Sequence, residues 1–255
     1  MGNLKTDIQD GVITVTIDRP EKRNALSREV LAELADRFAG AAGDNSLKAA
    51  VVTGAGDKSF AAGGDLKDLS SIRSLTGARA MADGAKQAFE AIRRFPVPVV
   101  ATINGDALGG GAELAVACDF RIFAHHARIG FVQGRLNIST AWGGGVDLMR
   151  LVGPAVGLRL LSRSELVTGP DAVAIGLGDA FATANQKRDD LLADFLAPLK
   201  RQAPQTLRAF KAMALAARFG ESRTDMLKLE TETFSKTWVH DDHWAAAEAI
   251  LGDRK

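Results

Sequence analysis

Six consecutive residues, Val12-Ile13-Thr14-Val15-Thr16-Ile17, are apolar or β-branched and predict a strand, closed by Asp18-Arg19-Pro20. Ser27 predicts a helix N-cap reaching to Val30, with Leu31, Leu34, Phe38 and Ala41 at helical spacing behind it. Residues 49–53, AAVVT, read as a short buried strand ended by Gly54-Ala55-Gly56. Met81, Ala85, Phe89 and Ile92 then predict a helix over about 76–95, which Pro96 and Pro98 end before a strand over 99–103. A glycine-rich loop and its helix follow, and after them a strand over 120–123. Strand, helix and strand thus alternate three times, which predicts parallel pairing, with ligands bound at the carboxyl ends of strands. Two glycine-rich turns fall at such ends, one after 49–53 and one after 99–103.

Beyond about residue 143 the strand pattern thins. Gly143-Gly144-Gly145 introduces a helix to Leu151, Pro154 starts another, and Pro170 suits the first position of a third. From Asn185 the pattern is helical throughout, over 191–199, 204–218, 221–236 and 242–251. The chain therefore predicts an α/β core over 1–185 and a helical C-terminal subdomain over 186–255.

Composition narrows the class. At 255 residues with 46% hydrophobic positions there is enough apolar material for a sizeable core. A net charge of +1 gives no electrostatic case for nucleic acid or an anionic membrane surface. The single cysteine, Cys118, excludes an internal disulfide, and its apolar neighbours suit a buried, inert thiol in a reducing compartment. The opening residues lack the apolar core of a signal peptide, and no apolar stretch nears the ~20 residues that span a bilayer. The expected setting is cytoplasmic, without a membrane or nucleic-acid partner.

Candidate chemistry concentrates in residues 104–119, NGDALGGGAELAVACD. Three glycines allow a tight turn and let a ligand atom approach the backbone N–H groups. The helix-forming run behind them places Gly109, Gly110 and Gly111 at a helix N-terminus, whose free N–H donors suit an anion or a developing oxyanion. Glu113, one turn in, is placed to act as acid or base beside it. A second loop, Phe60-Ala61-Ala62-Gly63-Gly64-Asp65-Leu66, offers the same close approach. Two loops could each give one N–H to the same oxygen, an oxyanion hole built from backbone.

These pieces, with Arg19–Leu26, 98–119, 129–145 and 169–178 in the same order, resemble the crotonase superfamily, the enoyl-CoA hydratase/isomerase family. The resemblance runs from about residue 10 to the C-terminus. It implies a spiral core of repeated ββα units with a helical C-terminal trimerisation region, and a homotrimer or homohexamer. It implies a coenzyme A thioester as substrate, a thioester enolate as intermediate, and no permanently bound cofactor; no metal is expected, because His125 and His126 lack further ligands at suitable spacing. Carried over by position, the oxyanion N–H groups fall on Ala62 and Gly110, and proton transfer on Glu113. Coenzyme A binding falls on the segment from Lys22 through Arg23 and Ala25 to Leu26, with Ala61, Asp65 and Leu66; Arg254 and Lys255 could also reach its phosphates.

One departure matters more than the matches. Hydratases of this family set two glutamates around a water, and the second position here is Gln133, in IGFVQGR. Glutamine orients a group but does not transfer its proton as a carboxyl does. The hydratase mechanism is thereby put in question. The run through 129–145, with Phe131, Val132 and Trp142, also resembles the branch that includes ethylmalonyl-CoA decarboxylase, and those side chains would form an apolar wall favouring loss of CO2. The expectation is an alkylmalonyl-CoA-type decarboxylase; the alternatives are an atypical enoyl-CoA hydratase and a non-catalytic binding paralogue. Arg135 is a candidate partner for a substrate carboxylate. Asp106 and Asp147 are expected at the surface or as helix caps, His125 and His126 in a surface loop, and His240 and His243 facing solvent.

Overall fold

The structure, a computed structural model, describes residues 2–252. A six-stranded sheet forms the first layer. Its strands are β1 (Leu4–Gln9), β2 (Val12–Ile17), β3 (Ala49–Gly54), β5 (Val99–Ile103), β7 (Phe120–Phe123) and β10 (Ala180–Phe181), hydrogen-bonded in that order. Only β1 runs antiparallel to its neighbour. Asp10 and Gly11, at φ 51° and 75°, make the two-residue turn joining β1 to β2, a conformation suited to the strands' twist.

A smaller sheet holds β4 (Ser59–Ala61), β6 (Asp106–Leu108), β8 (Arg128–Gly130) and β9 (Val167–Thr168). Each strand β3, β5 and β7 of the large sheet is followed in sequence by a strand of the small one and then by a helix. This ββα repeat is the spiral core that the resemblance implies. The helices are α1 (Arg28–Ala41), α2 (Leu66–Leu69), α3 (Leu75–Arg93), α4 (Gly110–Ala117), α5 (Gly144–Arg163) and α6 (Gly169–Ala174). The C-terminal region adds α7 (Arg188–Arg201), α8 (Pro204–Phe219), α9 (Arg223–Trp238) and α10 (Asp241–Gly252).

The largely apolar character of β3 and β5 follows from cover on both faces. Ala50, Val52, Val99 and Ala101 join the main core with Leu34, Phe38, Phe89 and Leu114. Ala49, Val51 and Val100 point the other way, against Leu196, Leu192 and Phe195 of α7. Ser27 caps α1 as its position predicts, accepting the Val30 N–H at 3.3 Å. The break expected near Pro154 is a kink in α5 at Gly153, φ 77°. Pro170 stands one place later than expected: Gly169 opens α6, and Thr168 is its cap.

The small sheet and β1 have no counterpart in the hydrophobic pattern. The small-sheet strands have two or three residues each, too few to show a period, and five of the six β1 residues are exposed. This has a consequence for the site. The two catalytic-candidate loops follow β4 and β6 of the small sheet, not the large-sheet strands after which the sequence places them.

Candidate active site

Loop 61–65 is held from behind by the segment after β2. Ala62 N–H donates to Arg23 O at 3.1 Å, Leu26 N–H to Gly63 O at 2.8 Å, and Asp65 N–H to Leu26 O at 3.0 Å. The Ala62 N–H expected to meet an oxyanion is thus already committed. Gly64 N–H has no acceptor among the described hydrogen bonds, and neither has Gly110 N–H, the first of α4. The two glycines abut one indole. A Cβ on Gly110 would sit 2.2 Å from Trp142 Cζ3, and one on Gly64 would sit 3.2 Å from Trp142 Cη2. Gly110 requires glycine because the backbone passes directly against that ring, whereas at Gly64 the ring would have to give by only a few tenths of an ångström.

Gly64 and Gly110 line a cavity of about 170 Å³ together with Glu113, Gln133, Val132 and Trp142. Leu66, Leu69, Met81, Leu136 and Ile138 complete an apolar wall, and no cationic side chain reaches it. Larger hollows lie elsewhere, one of about 660 Å³ between α5 and α8, but they hold neither Glu113 nor the free N–H groups.

Glu113 is 2% exposed. Its Oε2 accepts the N–H groups of Trp142 and Gly144, both at 2.9 Å, and its Oε1 accepts Gln133 Nε2 at 2.9 Å. Burial pushes its carboxyl above the usual carboxylate range, against the opposing pull of those donors. Gln133 is 8% exposed, and its Oε1 is buried without a partner.

Behind this loop runs a chain of charges that sequence reasoning missed. Arg93 donates to Trp142 O at 3.3 Å and pairs with Asp147 at 2.8 Å. Arg218 meets the other Asp147 oxygen at 2.8 Å and caps α4 by donating to Val116 O and Ala117 O. Asp147, expected as a surface or capping residue, is buried and ties α8 to the loop that holds Glu113. Nothing in the sequence singles out Arg93 on α3 or Arg218 on α8.

The remaining candidates separate. Leu66 and Ala62 line the cavity, while Ala61 is fully buried behind it, under Gly111. Lys22 and Asp65 border a shallow cleft with Arg19 and Lys67; Asp65 pairs with Arg19 at 2.9 Å. Arg23 is exposed beside them and Ala25 partly buried. Arg135 is exposed and donates to Ser164 O, away from the cavity wall. Phe131 is buried in the core, so of the expected apolar wall only Val132 and Trp142 face the cavity. Asp106 pairs with Arg128, and His126 meets Asp57 O. His240 is exposed, but His243 is half-buried against Trp238, 4.6 Å between ring centres. Cys118 is buried, its thiol pushed up to about 12 by desolvation. Arg254 and Lys255 lie outside the described residues. Among the described residues no group of three or more His, Cys, Asp or Glu could hold a metal, and no helix is long and apolar enough to cross a membrane.

The Enoyl-CoA hydratase/isomerase family profile matches residues 7–252. The chain belongs to that family. Crotonyl-CoA hydratase of Syntrophomonas wolfei is 31% identical, over 99% of this chain and 96% of that protein. Ethylmalonyl-CoA decarboxylase of Xenopus laevis is 30% identical, over 90% of this chain and 76% of that protein. A crystal structure of enoyl-CoA hydratase from Bacillus anthracis superposes with a TM-score of 0.91 at 26% identity, covering 98% of this chain and 96% of that one. The protein is thus an acyl-CoA-processing enzyme of the crotonase superfamily with lyase-type chemistry, and coenzyme A belongs to its substrate rather than to a resident cofactor.

Proposed function

We propose that the enzyme forms a thioester enolate by decarboxylating a short alkylmalonyl-CoA-type substrate. The observation that carries this reading is that Glu113, the one carboxyl in the apolar cavity, is hydrogen-bonded to an amide rather than set beside a second carboxyl. The thioester oxygen sits at the N–H groups of Gly64 and Gly110, which face the cavity from two loops and have no acceptor among the described hydrogen bonds. The bond from Cα to the carboxylate breaks, its electron pair enters the thioester as the enolate, and CO2 leaves. Glu113 then gives its proton to Cα and regains one from water. A wall without cations disfavours the substrate carboxylate relative to neutral CO2, which lowers the barrier to its loss.

Size supports a short acyl group. A dry cavity of about 150 Å³ holds benzene, so 170 Å³ suits a handful of carbons beyond the thioester. Lys22, Arg23 and Lys67, around the mouth of loop 61–65, supply cations for the coenzyme A phosphates. The C-terminal helices expose Leu227, Phe234, Trp238, Val239 and Trp244, an apolar face suited to a homotrimer or homohexamer.

A hydratase reading has one observation in its favour. The free Gln133 Oε1 could accept a hydrogen bond from a water that Glu113 activates. Incubating the protein separately with crotonyl-CoA and ethylmalonyl-CoA, with products followed by mass, separates the two. Loss of 44 mass units, the mass of CO2, from ethylmalonyl-CoA is expected; hydration of crotonyl-CoA alone would replace decarboxylase with hydratase.

A further inference from the structure

A glutamine amide offers a donor at one end and an acceptor at the other, and a half-turn about its terminal bond exchanges them. Gln133 stands where that exchange has consequences. Its Nε2 holds Glu113 Oε1 at 2.9 Å, while its Oε1 is buried and unpartnered in a residue that borders the cavity. In this orientation Glu113 accepts hydrogen bonds at both oxygens, as an anion does, and Gln133 Oε1 is the acceptor left for an incoming acyl group. A hydroxyl or a water can meet that acceptor. A carboxylate cannot, because it would face both Gln133 Oε1 and the Glu113 charge.

The half-turn reverses every sign. With a proton on Glu113 Oε1, that O–H donates to Gln133 Oε1, and Gln133 Nε2 swings to the cavity as a donor. The rotation breaks one hydrogen bond and restores it with the opposite polarity. Glu113 Oε2 keeps the N–H groups of Trp142 and Gly144 throughout. We propose that the Gln133 amide is a two-position coupler, which admits an anionic acyl group to the cavity only as Glu113 takes up a proton from solvent. The inference rests on the acyl-CoA decarboxylase reading above and adds how the enzyme loads the proton that the enolate later receives.

Lys67 of α2 and Arg79 of α3 are exposed at the surface, and the buried charges on the surrounding elements are matched. On α3, Arg93 pairs with Asp147 and Glu90; on α5, Asp147 is shared with Arg218. Beside the cavity, Asp65 is paired with Arg19, Asp106 of β6 with Arg128, and Arg135 is bound to Ser164 O. None of these lines the cavity. Glu113 is the ionisable side chain that an anion inside would meet, and burial already biases it toward the protonated form.

The test is calorimetric binding at pH 8 in phosphate and in Tris, whose different protonation enthalpies reveal proton uptake. The probes are propionyl-CoA and 2-sulfopropionyl-CoA, whose sulfonate stands in for a carboxylate that cannot leave. The sulfonate ligand should take up close to one proton per site and propionyl-CoA none. In Glu113→Gln the carbonyl oxygen of the new amide takes the Trp142 and Gly144 N–H groups, so its NH2 faces Gln133 and presets the turned state. That variant should bind the sulfonate about tenfold tighter than the parent at pH 8, without proton uptake, since charge-assisted hydrogen bonds carry at least that factor. Gln133→Leu should weaken sulfonate binding about tenfold more than propionyl-CoA binding, a split that a merely structural role would not produce. Sulfonate binding without proton uptake, or equal weakening of both ligands by Gln133→Leu, overturns the coupler. Failure of both ligands to bind the parent overturns instead the acyl-CoA site on which it rests.

Discussion

Gly110→Ala tests the proposed oxyanion donor apart from the rest of the site. The new Cβ would stand 2.2 Å from Trp142 Cζ3, and ordinary contact begins near 3.4 Å, so something must give by about 1.2 Å. The neighbour is not a flexible chain end. Trp142 packs edge-on to Phe89 at 5.8 Å and donates Nε1 to Met81 Sδ, and its own backbone N–H holds Glu113. Either the indole moves and carries the Glu113 loop with it, or α4 backs away and carries its first N–H.

The effect on stability is small because two contributions oppose. Overpacking costs about 1–3 kcal/mol, while alanine in a helix gains back about 0.5–1 kcal/mol over glycine. The melting temperature should fall by only a few degrees for a chain of this size. Rate is another matter. A displacement of about 1 Å costs roughly a hundredfold, and losing the donor altogether about 10²–10³ in kcat. The assay is steady-state turnover of whichever CoA thioester is consumed, beside a thermal melt and a Gly43→Ala control, where an added Cβ meets nothing within 4 Å. The expected result is a kcat lower by about 10² with KM within a few-fold, since the contact strengthens only as the enolate forms. Turnover within threefold of the parent would show that Gly110 N–H holds no oxyanion.

Further predictions follow from the same geometry. Glu113→Gln should lower kcat by about 10²–10⁴ through loss of the proton donor, measured by product formation. The same variant tests linkage. Because burial raises the Glu113 carboxyl above its unfolded value, the stability contributed by its neutral form is present in acid and lost as pH rises through the raised value. The melting temperature of Glu113→Gln relative to the parent should therefore climb from about pH 4 to pH 8; a flat difference would place the carboxyl in the ordinary range. Asp147→Asn leaves the Arg93 and Arg218 guanidinium groups short of their shared carboxylate, so it should destabilise the fold by about 3 kcal/mol or more, read by denaturant unfolding. Gln133→Glu sets a second carboxyl against Glu113 and should raise hydration of crotonyl-CoA relative to decarboxylation, measured as a product ratio.

The sequence and structure agree, within a residue, where a residue's role is set by its near neighbours along the chain. The large-sheet strands β2, β3, β5 and β7, the Ser27 cap and the turn at Gly153 and Pro154 all depend on spacing within a few residues. Contacts between distant segments were not legible. Asp147 is three residues beyond Gly144, which says nothing of Arg93 and Arg218, 54 and 71 residues away. The smaller sheet is of the same kind, since two- or three-residue strands are specified by their partners rather than by their own pattern.

The oxyanion loop shows the limit within a single motif. Spacing identifies FAAGGDL as a loop with close backbone approach, but not which N–H is free. In an extended segment alternate residues turn their N–H groups to opposite sides. Gly63 O and Asp65 N–H both face Leu26, so Gly64 between them faces away, toward the cavity. Simple alternation would put Ala62 on that same side and leave two candidates. Gly63, at φ 99°, reverses the chain there and sends the Ala62 N–H back to Arg23 O. One left-handed glycine therefore leaves Gly64 rather than Ala62 as the free donor beside Gly110, and Gly63→Ala, which strains that conformation, should impair turnover if the proposed oxyanion site is right.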